Sequence, residues 1–338
     1  MNILFYCPFN FNIKSSKLKS LGGIESLNVE LSKFLSKSHY KIFLATYCKK
    51  IIKRKNLVNL PVDFLLKNKS RFEFKNIISS NDPTIFNHFK NSQNFLWLHN
   101  KLPIEKALRK KKFFPIITNK VSAIFVSNYL LKQTTSIYNF KKKIVIPNFL
   151  DPIFLKTKPR INRKPYFIWS VQRKKGLKEI INIWIKKVCK INPNIKLYIF
   201  GIDKNSFNKR ETKTLLNHNI FLKGRVSKSK LKKYYNVSMG MICLGYDETF
   251  CINAIEAFSC GLPIITFGLT AVSELIDNRN SFKIDNFEEL DKRILEILDM
   301  NKLQRKQYID YCYGFSKRYQ IQRIIPMWKR VLNSKFKF

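Results

Sequence analysis

Short apolar runs and amphipathic stretches alternate along the whole of this 338-residue chain. The apolar run 2–9 predicts a buried strand, and Ile24, Leu27 and Leu31 then recur at the three- and four-residue steps of a helix. Further runs predict strands at 41–46, 62–66, 84–86, 95–99, 123–127 and 144–147. Helical stretches lie between several of these runs. Such alternation is typical of a parallel sheet with helices on both faces.

A proline-containing, loop-like connection, 148–164, interrupts the alternation, which then starts again. The second half predicts strands at 166–171, 196–200, 219–222, 239–244 and 263–267, and helices at 177–189, 227–235, 287–300, 302–313 and 324–332. We therefore predict an α/β protein of two Rossmann-like doubly wound domains, 1–150 and 151–320. The last segment, 321–338, is expected to pack back on the first domain.

Residues at the carboxyl ends of parallel strands line the ligand crevice of such domains. His99 ends one predicted strand, and Gly22 and Gly23 join another strand to a helix. The Gly-Gly junction can receive an anion, although it lacks the G-x-G-x-x-G pattern of dinucleotide sites. His99 either contacts a ligand here or packs as a structural residue.

One stretch, 247–267, combines two carboxylates with an apolar run that is compatible with a helix. Glu248 and Glu256 have seven residues between them. A helix beginning near Phe250 would direct its free N–H groups at an anion, and Glu256, about two turns in, could accept hydrogen bonds from a neighbouring diol. A phosphate next to a ribose fits this description. The spacing alone fits an alternative equally well, in which Glu256 is a solvated helix residue of an ordinary βαβ unit.

The chain is strongly basic, with 64 Lys and Arg against 22 Asp and Glu and a net charge of +42. This surface should attract nucleotides, nucleic acid or acidic lipid headgroups. The alternative is a compositional drift toward Lys, Asn, Ile and Phe. Because the basic runs lack regular aromatic interleaving, we expect no nucleic-acid partner.

The seven cysteines include no C-x-x-C pair, and the four histidines cluster with none of them. This pattern indicates reduced, buried thiols in a cytosolic protein and predicts no metal site. The start of the chain has neither the basic region nor the apolar core of a signal peptide. No uncharged stretch is long enough to predict a membrane span.

Several short motifs, in this order and spacing, resemble the retaining glycosyltransferases of family 4 (glycosyl transferases group 1), which have the GT-B fold. The resemblance covers most of the chain. Its motifs are GGIE at 22–25, VSN at 126–128, IPNFLD at 146–151, RKKG at 173–176, YIFG at 198–201, FLKGRVS at 221–227, the two glutamates at 248 and 256 with EAFSCGLPII, and SEL at 273–275.

The resemblance implies a nucleotide-sugar donor, UDP- or GDP-linked, held mainly by the second domain, and a glycan or lipid-linked acceptor held mainly by the first. The reaction would occur in the cleft between them. Glu256 would bind the ribose hydroxyls. Glu248 would contact donor hydroxyls and the positive charge that develops at the anomeric carbon. His99 would touch the sugar or the acceptor.

The resemblance also implies that backbone groups bind much of the donor. The family's remaining substrate-binding positions fall on Gly23, Arg173, Lys175, Val226, Phe250, Cys251 and Ile252. Amides near Cys251 would face the sugar or diphosphate, Lys175 and Arg173 would neutralise the diphosphate, and the backbone near Val226 would contact the base. The chain departs from the family pattern at Cys251, where glycine is commoner, and at 268–271, which replaces a Gly-Gly turn.

The implied protein is a hexosyltransferase-type enzyme that acts with retention and needs neither metal nor another cofactor. Its implied role is in surface polysaccharide or lipopolysaccharide biosynthesis. We expect it in the cytoplasm, with peripheral contact between its basic surface and the anionic inner face of the membrane. The alternatives are another GT-B enzyme, such as an epimerase or phosphorylase, and a non-catalytic basic protein that binds membrane or nucleic acid.

Overall fold

The computed structural model describes residues 1–14, 21–156, 158–170 and 176–334. The chain forms two compact units. One consists of Met1–Asp151 together with the last helix, Ile321–Asn333, and the other is Pro152–Gln320. Over the described ranges, no helix is both long enough and apolar enough to cross a membrane.

The first unit is built on an eight-stranded sheet in the order β3-β4-β2-β1-β5-β6-β7-β8. Its strands are β1 (Asn2–Tyr6), β2 (Lys41–Thr46), β3 (Ile52–Arg54), β4 (Leu57–Pro61), β5 (Asn76–Ser80), β6 (Gln93–Leu98), β7 (Ser122–Phe125) and β8 (Lys143–Val145). Neighbouring strands are parallel except β3 and β4. The central strands are buried on both faces, which explains their nearly continuous apolar sequences.

The last helix of the chain is part of the core of this first unit. The other helices are α1 (Gly23–Leu35), α2 (Val62–Lys67), α3 (Ile104–Arg109), α4 (Phe113–Thr118) and α5 (Asn128–Lys132). Trp328 of the last helix is buried against Trp97 of β6, edge to face, with ring centroids 4.8 Å apart. The Tyr40 hydroxyl donates to Asn333 Oδ1 at 2.9 Å. Removal of this helix would therefore expose the centre of the first sheet.

Two of the strands predicted in the first half are wrong. Residues 62–66 form α2, which begins directly after Pro61, and 84–86 lie in the 3-10 helix Pro83–His88. The Asp82 side chain caps this second segment by accepting a hydrogen bond from a backbone N–H two residues on. Proline at a helix start and an Asp cap are local signals that outweigh a short apolar run. Strands β3, β4 and β5 were not predicted.

The second unit has a six-stranded sheet in the order β11-β10-β9-β12-β13-β14. Its strands are β9 (Tyr166–Ser170), β10 (Lys196–Phe200), β11 (Ile220–Gly224), β12 (Gly240–Ile242), β13 (Ile264–Thr266) and β14 (Ser281–Lys283). Each neighbouring pair is parallel. Counted from β9, the order is the 3-2-1-4-5-6 of a Rossmann sheet. The predicted α/β class, with two doubly wound sheets, is confirmed.

The helices of the second unit surround this sheet. They are α6 (Leu177–Ile183), α7 (Cys189–Ile191), α8 (Lys209–Asn217), α9 (Lys228–Val237), α10 (Ile252–Ser259), α11 (Leu290–Asp299) and α12 (Lys302–Ser316). The last helix of the chain, which belongs to the first unit, is α13. A π-helical turn, Trp184–Val188, joins α6 to α7 within the helix predicted over 177–189. Helix α8 was not predicted, because its sequence is mainly polar and its start is set by a capping box between Asn208 and Glu211.

Arg163 connects the beginning of the second unit to the ends of two helices. Its guanidinium donates to the carbonyl oxygens of Tyr235, Ser238 and Cys260 at 2.9, 2.9 and 2.6 Å. Burial lowers the pKa of Arg163 to about 10, so it is charged at neutral pH.

We expect Arg163→Ala to lower the free energy of unfolding by about 3 kcal/mol in urea denaturation, because the three carbonyl oxygens lose their donor. The exposed Arg160→Ala is the control, and equal losses in the two variants would contradict the expectation.

Candidate functional site

The strand order of the second sheet reverses between β9 and β12. Ligands of open parallel sheets bind outside the carboxyl ends of the strands at such a switch point. Strand β9 ends at Ser170 and β12 ends at Ile242. The side-chain amide of Asn253, in the first turn of α10, donates a hydrogen bond to the Ser170 carbonyl oxygen. The N-terminus of α10 therefore lies at the switch point.

Cys251 precedes α10 in a left-handed backbone conformation, with φ 65° and ψ 68°. This conformation favours glycine, so the cysteine occupies a glycine-like position in the chain. Its Sγ lies 3.3 Å from Cys243 Sγ. That contact and burial raise the pKa of the Cys251 thiol, which is neutral at physiological pH. The helix begins at Ile252, two residues later than predicted.

Glu256 lies in the second turn of α10 and is buried, with 2% of its surface exposed. Its Oε1 lies 3.1 Å from Nζ of Lys228, the first residue of α9. The alternative that Glu256 is a solvated helix residue is therefore wrong. A buried carboxylate is expensive to desolvate, and the pairing with Lys228 offsets part of that cost. Burial and, secondarily, the charge of Glu256 raise the pKa of the neighbouring Tyr235 hydroxyl.

Glu248 is half-buried in the loop between β12 and α10, and the turn after β13 braces that loop. The Glu248 carbonyl oxygen accepts a hydrogen bond from the Ala271 N–H at 3.2 Å. The Thr270 hydroxyl donates to the Gly245 carbonyl oxygen at 2.6 Å. A Cβ on Gly245, which has φ +84°, would lie 3.1 Å from the Leu269 carbonyl oxygen. The turn that departs from the family pattern therefore holds the backbone of Glu248 in place.

The loop between β11 and α9 meets α10 at the same place. Val226 is half-buried in this loop, two residues before Lys228. The contact between Lys228 and Glu256 therefore brings the predicted base-contacting loop to α10. Phe250 is buried directly before the helix, and Ile252 is its first residue. Five predicted positions of the second unit, Val226, Phe250, Cys251, Ile252 and Glu256, are thus assembled around the start of α10.

Arg173 and Lys175 lie outside the described residues. Gly176 follows them and begins α6 in a left-handed conformation, with φ +80°. A Cβ on Gly176 would lie 2.3 Å from Leu244 Cδ1, just beyond the end of β12. The chain therefore enters α6 in close contact with the strand end that leads to Glu248.

In the first unit, the predicted residues lie at the carboxyl edge of the sheet. Gly23 is the first residue of α1, and His99 directly follows β6. Asn28 of α1 donates to Ser80 Oγ at the end of β5, at 2.9 Å. The next residue, Asn81, accepts a hydrogen bond from the His99 backbone N–H at 2.8 Å. These contacts connect α1 to the ends of β5 and β6, beside the point where the strand order reverses between β1 and β5.

The His99 imidazole is buried, and burial lowers its pKa to about 3. It is neutral at physiological pH and can exchange hydrogen bonds, but it cannot serve there as a cationic acid. In the unfolded chain the pKa is about 6.5, so protonation below that pH favours unfolding. Because the pKa of His99 is lower in the folded chain than in the unfolded chain, the free energy of unfolding decreases as the pH falls from about 6.5 toward 3. The decrease is roughly 1.4 kcal/mol per pH unit.

We therefore expect the free energy of unfolding of the wild-type protein to fall more steeply with decreasing pH than that of His99→Gln. Urea denaturation between about pH 6.5 and pH 4 measures both slopes. The variant His39→Gln removes an exposed histidine and should follow the wild type. Parallel profiles for wild type and His99→Gln would show that His99 does not carry this effect.

Two residues of the site were missed by the sequence analysis. Lys228 follows the FLKGRVS motif directly, but no motif distinguishes it in a chain with 64 Lys and Arg residues. Asn253 lies inside the helical run, where a side-chain amide carries no information about a distant carbonyl partner. Both belong to contacts between elements, which spacing along the sequence does not reveal.

The arrangement around α10 suits a ligand that combines an anion with a diol. The helix N-terminus attracts negative charge, and the Glu256 carboxylate accepts hydrogen bonds from hydroxyl groups. Among the residues that the structure describes, no group of three or more His, Cys, Asp or Glu side chains could hold a metal ion.

Residues 154–312 match the family model of the glycosyl transferases group 1. The second unit is a group 1 glycosyltransferase domain. The resemblance of the sequence to the glycosyl transferases group 1 is confirmed, and Glu248, Cys251 and Glu256 all lie inside the matched region. Gly23 and His99 lie outside it. No curated protein sequence matches the chain.

Solved glycosyltransferase structures resemble the chain over almost its whole length. Sucrose-phosphate synthase from Thermosynechococcus elongatus is 12% identical, with a TM-score of 0.73 over 98% of both chains. WaaG, a glycosyltransferase involved in lipopolysaccharide biosynthesis, is 12% identical, with a TM-score of 0.71 over 98% of this chain and 100% of its own. HepE from Anabaena, in complex with UDP and glucose, is 13% identical, with a TM-score of 0.70 over 98% of this chain and 99% of its own. The predicted GT-B fold is confirmed.

Proposed function

We propose that this group 1 glycosyltransferase moves a hexose from a nucleotide-sugar donor to a glycan or lipid-linked acceptor with retention of anomeric configuration. The observation that carries the proposal is the buried Glu256 on α10, at the switch point of the second sheet. A buried carboxylate in the second turn of a helix suits a ligand in which a diol is joined to an anion that binds the helix N-terminus. The ribose diphosphate of a nucleotide sugar is such a ligand.

In the proposed donor complex, the ribose hydroxyls donate hydrogen bonds to Glu256. The first amides of α10 bind the diphosphate or the sugar, and the backbone near Val226 contacts the base. Lys175 and Arg173 neutralise the charge that the departing diphosphate carries. The helix N-terminus adds to this neutralisation, so the proposed reaction uses no metal ion.

The proposed chemistry takes place on one face of the sugar. The acceptor hydroxyl oxygen bonds to the anomeric carbon as the bond from that carbon to the diphosphate oxygen breaks. The hydroxyl proton passes to the leaving phosphate, so no protein group acts as general base. Glu248 stabilises the positive charge that develops at the anomeric carbon. The neutral His99 hydrogen-bonds the sugar or acceptor, and Gly23, which has no Cβ, leaves space for a ligand at the start of α1.

The proposed setting is surface polysaccharide or lipopolysaccharide biosynthesis, at the cytoplasmic face of a membrane. The similarity to WaaG supports a role in lipopolysaccharide biosynthesis. The HepE structure with UDP and glucose supports a UDP-linked sugar over a GDP-linked one. A net charge of +42 suits an acceptor that is presented on an anionic surface.

A screen of UDP, GDP, ADP and CMP by thermal shift tests the donor site. One nucleoside diphosphate should raise the melting temperature, because a ligand at about 100 times its dissociation constant adds roughly 2.7 kcal/mol of stability. The matching nucleotide sugar is then supplied with acceptors, and the anomeric configuration of the product is read by NMR. Stabilisation by none of the three nucleoside diphosphates UDP, GDP and ADP would contradict the proposal.

Turnover of the selected nucleotide sugar, together with the binding screen, separates the alternatives. An epimerase would convert the nucleotide sugar when no acceptor is present, and a phosphorylase would require inorganic phosphate. A non-catalytic basic protein, an alternative favoured only by the net charge, would bind duplex nucleic acid or vesicles but no nucleoside diphosphate.

A further inference from the structure

Helices α3 and α4 of the first unit expose large apolar side chains. Leu108 is 47% exposed, Phe114 67% and Ile117 41%. Phe114 and Ile117 are three residues apart on α4 and therefore share a face of the helix. Each helix has six residues and is about 9 Å long, and the Lys112 N–H, directly before α4, donates to the Ala107 carbonyl oxygen of α3 at 2.8 Å. The two short helices are therefore adjacent. Clustered exposed apolar side chains of this size mark interaction sites.

The apolar region continues onto a neighbouring turn. The 3-10 turn Ser136–Tyr138 packs against α4, with the rings of Tyr138 and Phe113 5.8 Å apart. Ile137 of this turn is 55% exposed. We call residues 108–117 together with Ile137 the α3–α4 surface.

The same part of the chain concentrates positive charge. Residues 101–143 contain eleven Lys or Arg side chains and a single acidic one, Glu105. Arg109, Lys110 and Lys111, at the turn between the two helices, are all exposed. The next residue, Lys112, instead anchors the turn to the sheet edge, because its Nζ donates to the Asn81 carbonyl oxygen at 2.7 Å. The anchored turn thus presents three cations beside the exposed apolar side chains.

We propose that the α3–α4 surface docks on an anionic lipid bilayer. Phe114 and Ile117 enter the boundary between headgroups and acyl chains, and Arg109, Lys110 and Lys111 contact the headgroups. A bilayer interface is the partner that accepts apolar and cationic groups side by side. Nucleic acid would engage the cations but leave Leu108 and Ile117 exposed. A lipid-linked acceptor would meet the enzyme at this surface. Only this consequence of membrane docking rests on the proposed function.

Co-sedimentation of the full-length protein with vesicles tests the role of the cations. Binding to vesicles of phosphatidylcholine with phosphatidylglycerol should exceed binding to pure phosphatidylcholine. The triple variant Arg109→Ser/Lys110→Ser/Lys111→Ser should lose roughly 100-fold in partitioning, about fivefold per cation. The control Lys209→Ser/Arg210→Ser/Lys213→Ser removes three exposed cations from α8 and should bind like the wild type. Equal losses in the two variants would mean that net charge, and not this surface, drives binding.

The apolar contribution has its own matched pair. Phe114→Ser should weaken binding roughly tenfold, whereas Leu303→Ser, at a position 65% exposed on α12, should leave it unchanged. Because all four tryptophans are buried, Phe114→Trp introduces an exposed indole whose emission should shift to the blue with anionic vesicles. The absence of a shift, or binding to duplex DNA without binding to vesicles, would overturn the proposal. No nucleotide is present in these assays, so their failure is distinct from failure of the donor site.

Discussion

Replacing Glu256 by alanine is expected to raise the dissociation constant of the bound nucleoside diphosphate at least about 100-fold. A hydrogen bond to a charged acceptor contributes roughly 1.5–3 kcal/mol, and a ribose offers two hydroxyl donors. The carboxylate is buried and its Oε1 lies 3.1 Å from Lys228 Nζ, so it is held in one position before any ligand arrives. Calorimetric titration of the wild type and Glu256→Ala with the nucleotide selected by thermal shift measures the difference.

Because Glu256 is buried, the experiment must separate lost binding from lost folding. Glu256→Ala removes the carboxylate that Lys228 contacts, and we expect a lower melting temperature without ligand. The double variant Lys228→Met/Glu256→Gln replaces the ion pair by neutral groups of similar size and should recover stability but not affinity. Glu296→Ala, at an exposed position on α11, is the control for both readouts. Wild-type affinity in a folded Glu256→Ala protein would refute the ribose role.

Strands buried on both faces were the most predictable part of the fold. The run 196–200 forms β10 with the same bounds, because a short apolar segment between polar breaks has few other ways to bury its side chains. Strand β5, with the sequence NIISS, was not predicted because its polar side chains hide its burial. Those side chains find hydrogen-bond partners inside the protein: Asn76 Nδ2, for example, donates to the Leu332 carbonyl oxygen at 3.0 Å. Leu332 is 256 residues from Asn76 along the chain, so no local sequence pattern could predict the contact.

The candidate site shows the same division between local and distant information. The spacing of Glu248 and Glu256, and the helix that contains Glu256, are local and were predictable from 247–267. The pairing of Glu256 with Lys228 and the contact of Cys251 with Cys243 depend on how elements pack, and the sequence offered no sign of either. The roles of Glu248, Glu256 and His99 stay predictions until they are measured.

The substitution Glu248→Gln is expected to lower kcat by on the order of 100- to 1000-fold while donor affinity changes little. The proposed role of Glu248 is to stabilise charge that exists only in the transition state, and loss of one such group typically costs this much. Glutamine keeps the size of the side chain and one acceptor oxygen but removes the negative charge. Since the loop backbone is held by the bond from the Ala271 N–H to the Glu248 carbonyl oxygen, the substitution should leave the loop in place.

Initial rates of sugar transfer and calorimetric donor binding, measured on the same preparation, distinguish the two glutamates. Glu248→Gln should lower kcat with an unchanged dissociation constant for the nucleotide, whereas Glu256→Ala should mainly weaken binding. The control is Glu289→Gln, which changes a half-buried glutamate directly before α11, outside the loop that contains Glu248. If Glu248→Gln weakened nucleotide binding as much as it slowed transfer, Glu248 would be a binding residue. The charge that develops at the anomeric carbon would then have to be stabilised by another group.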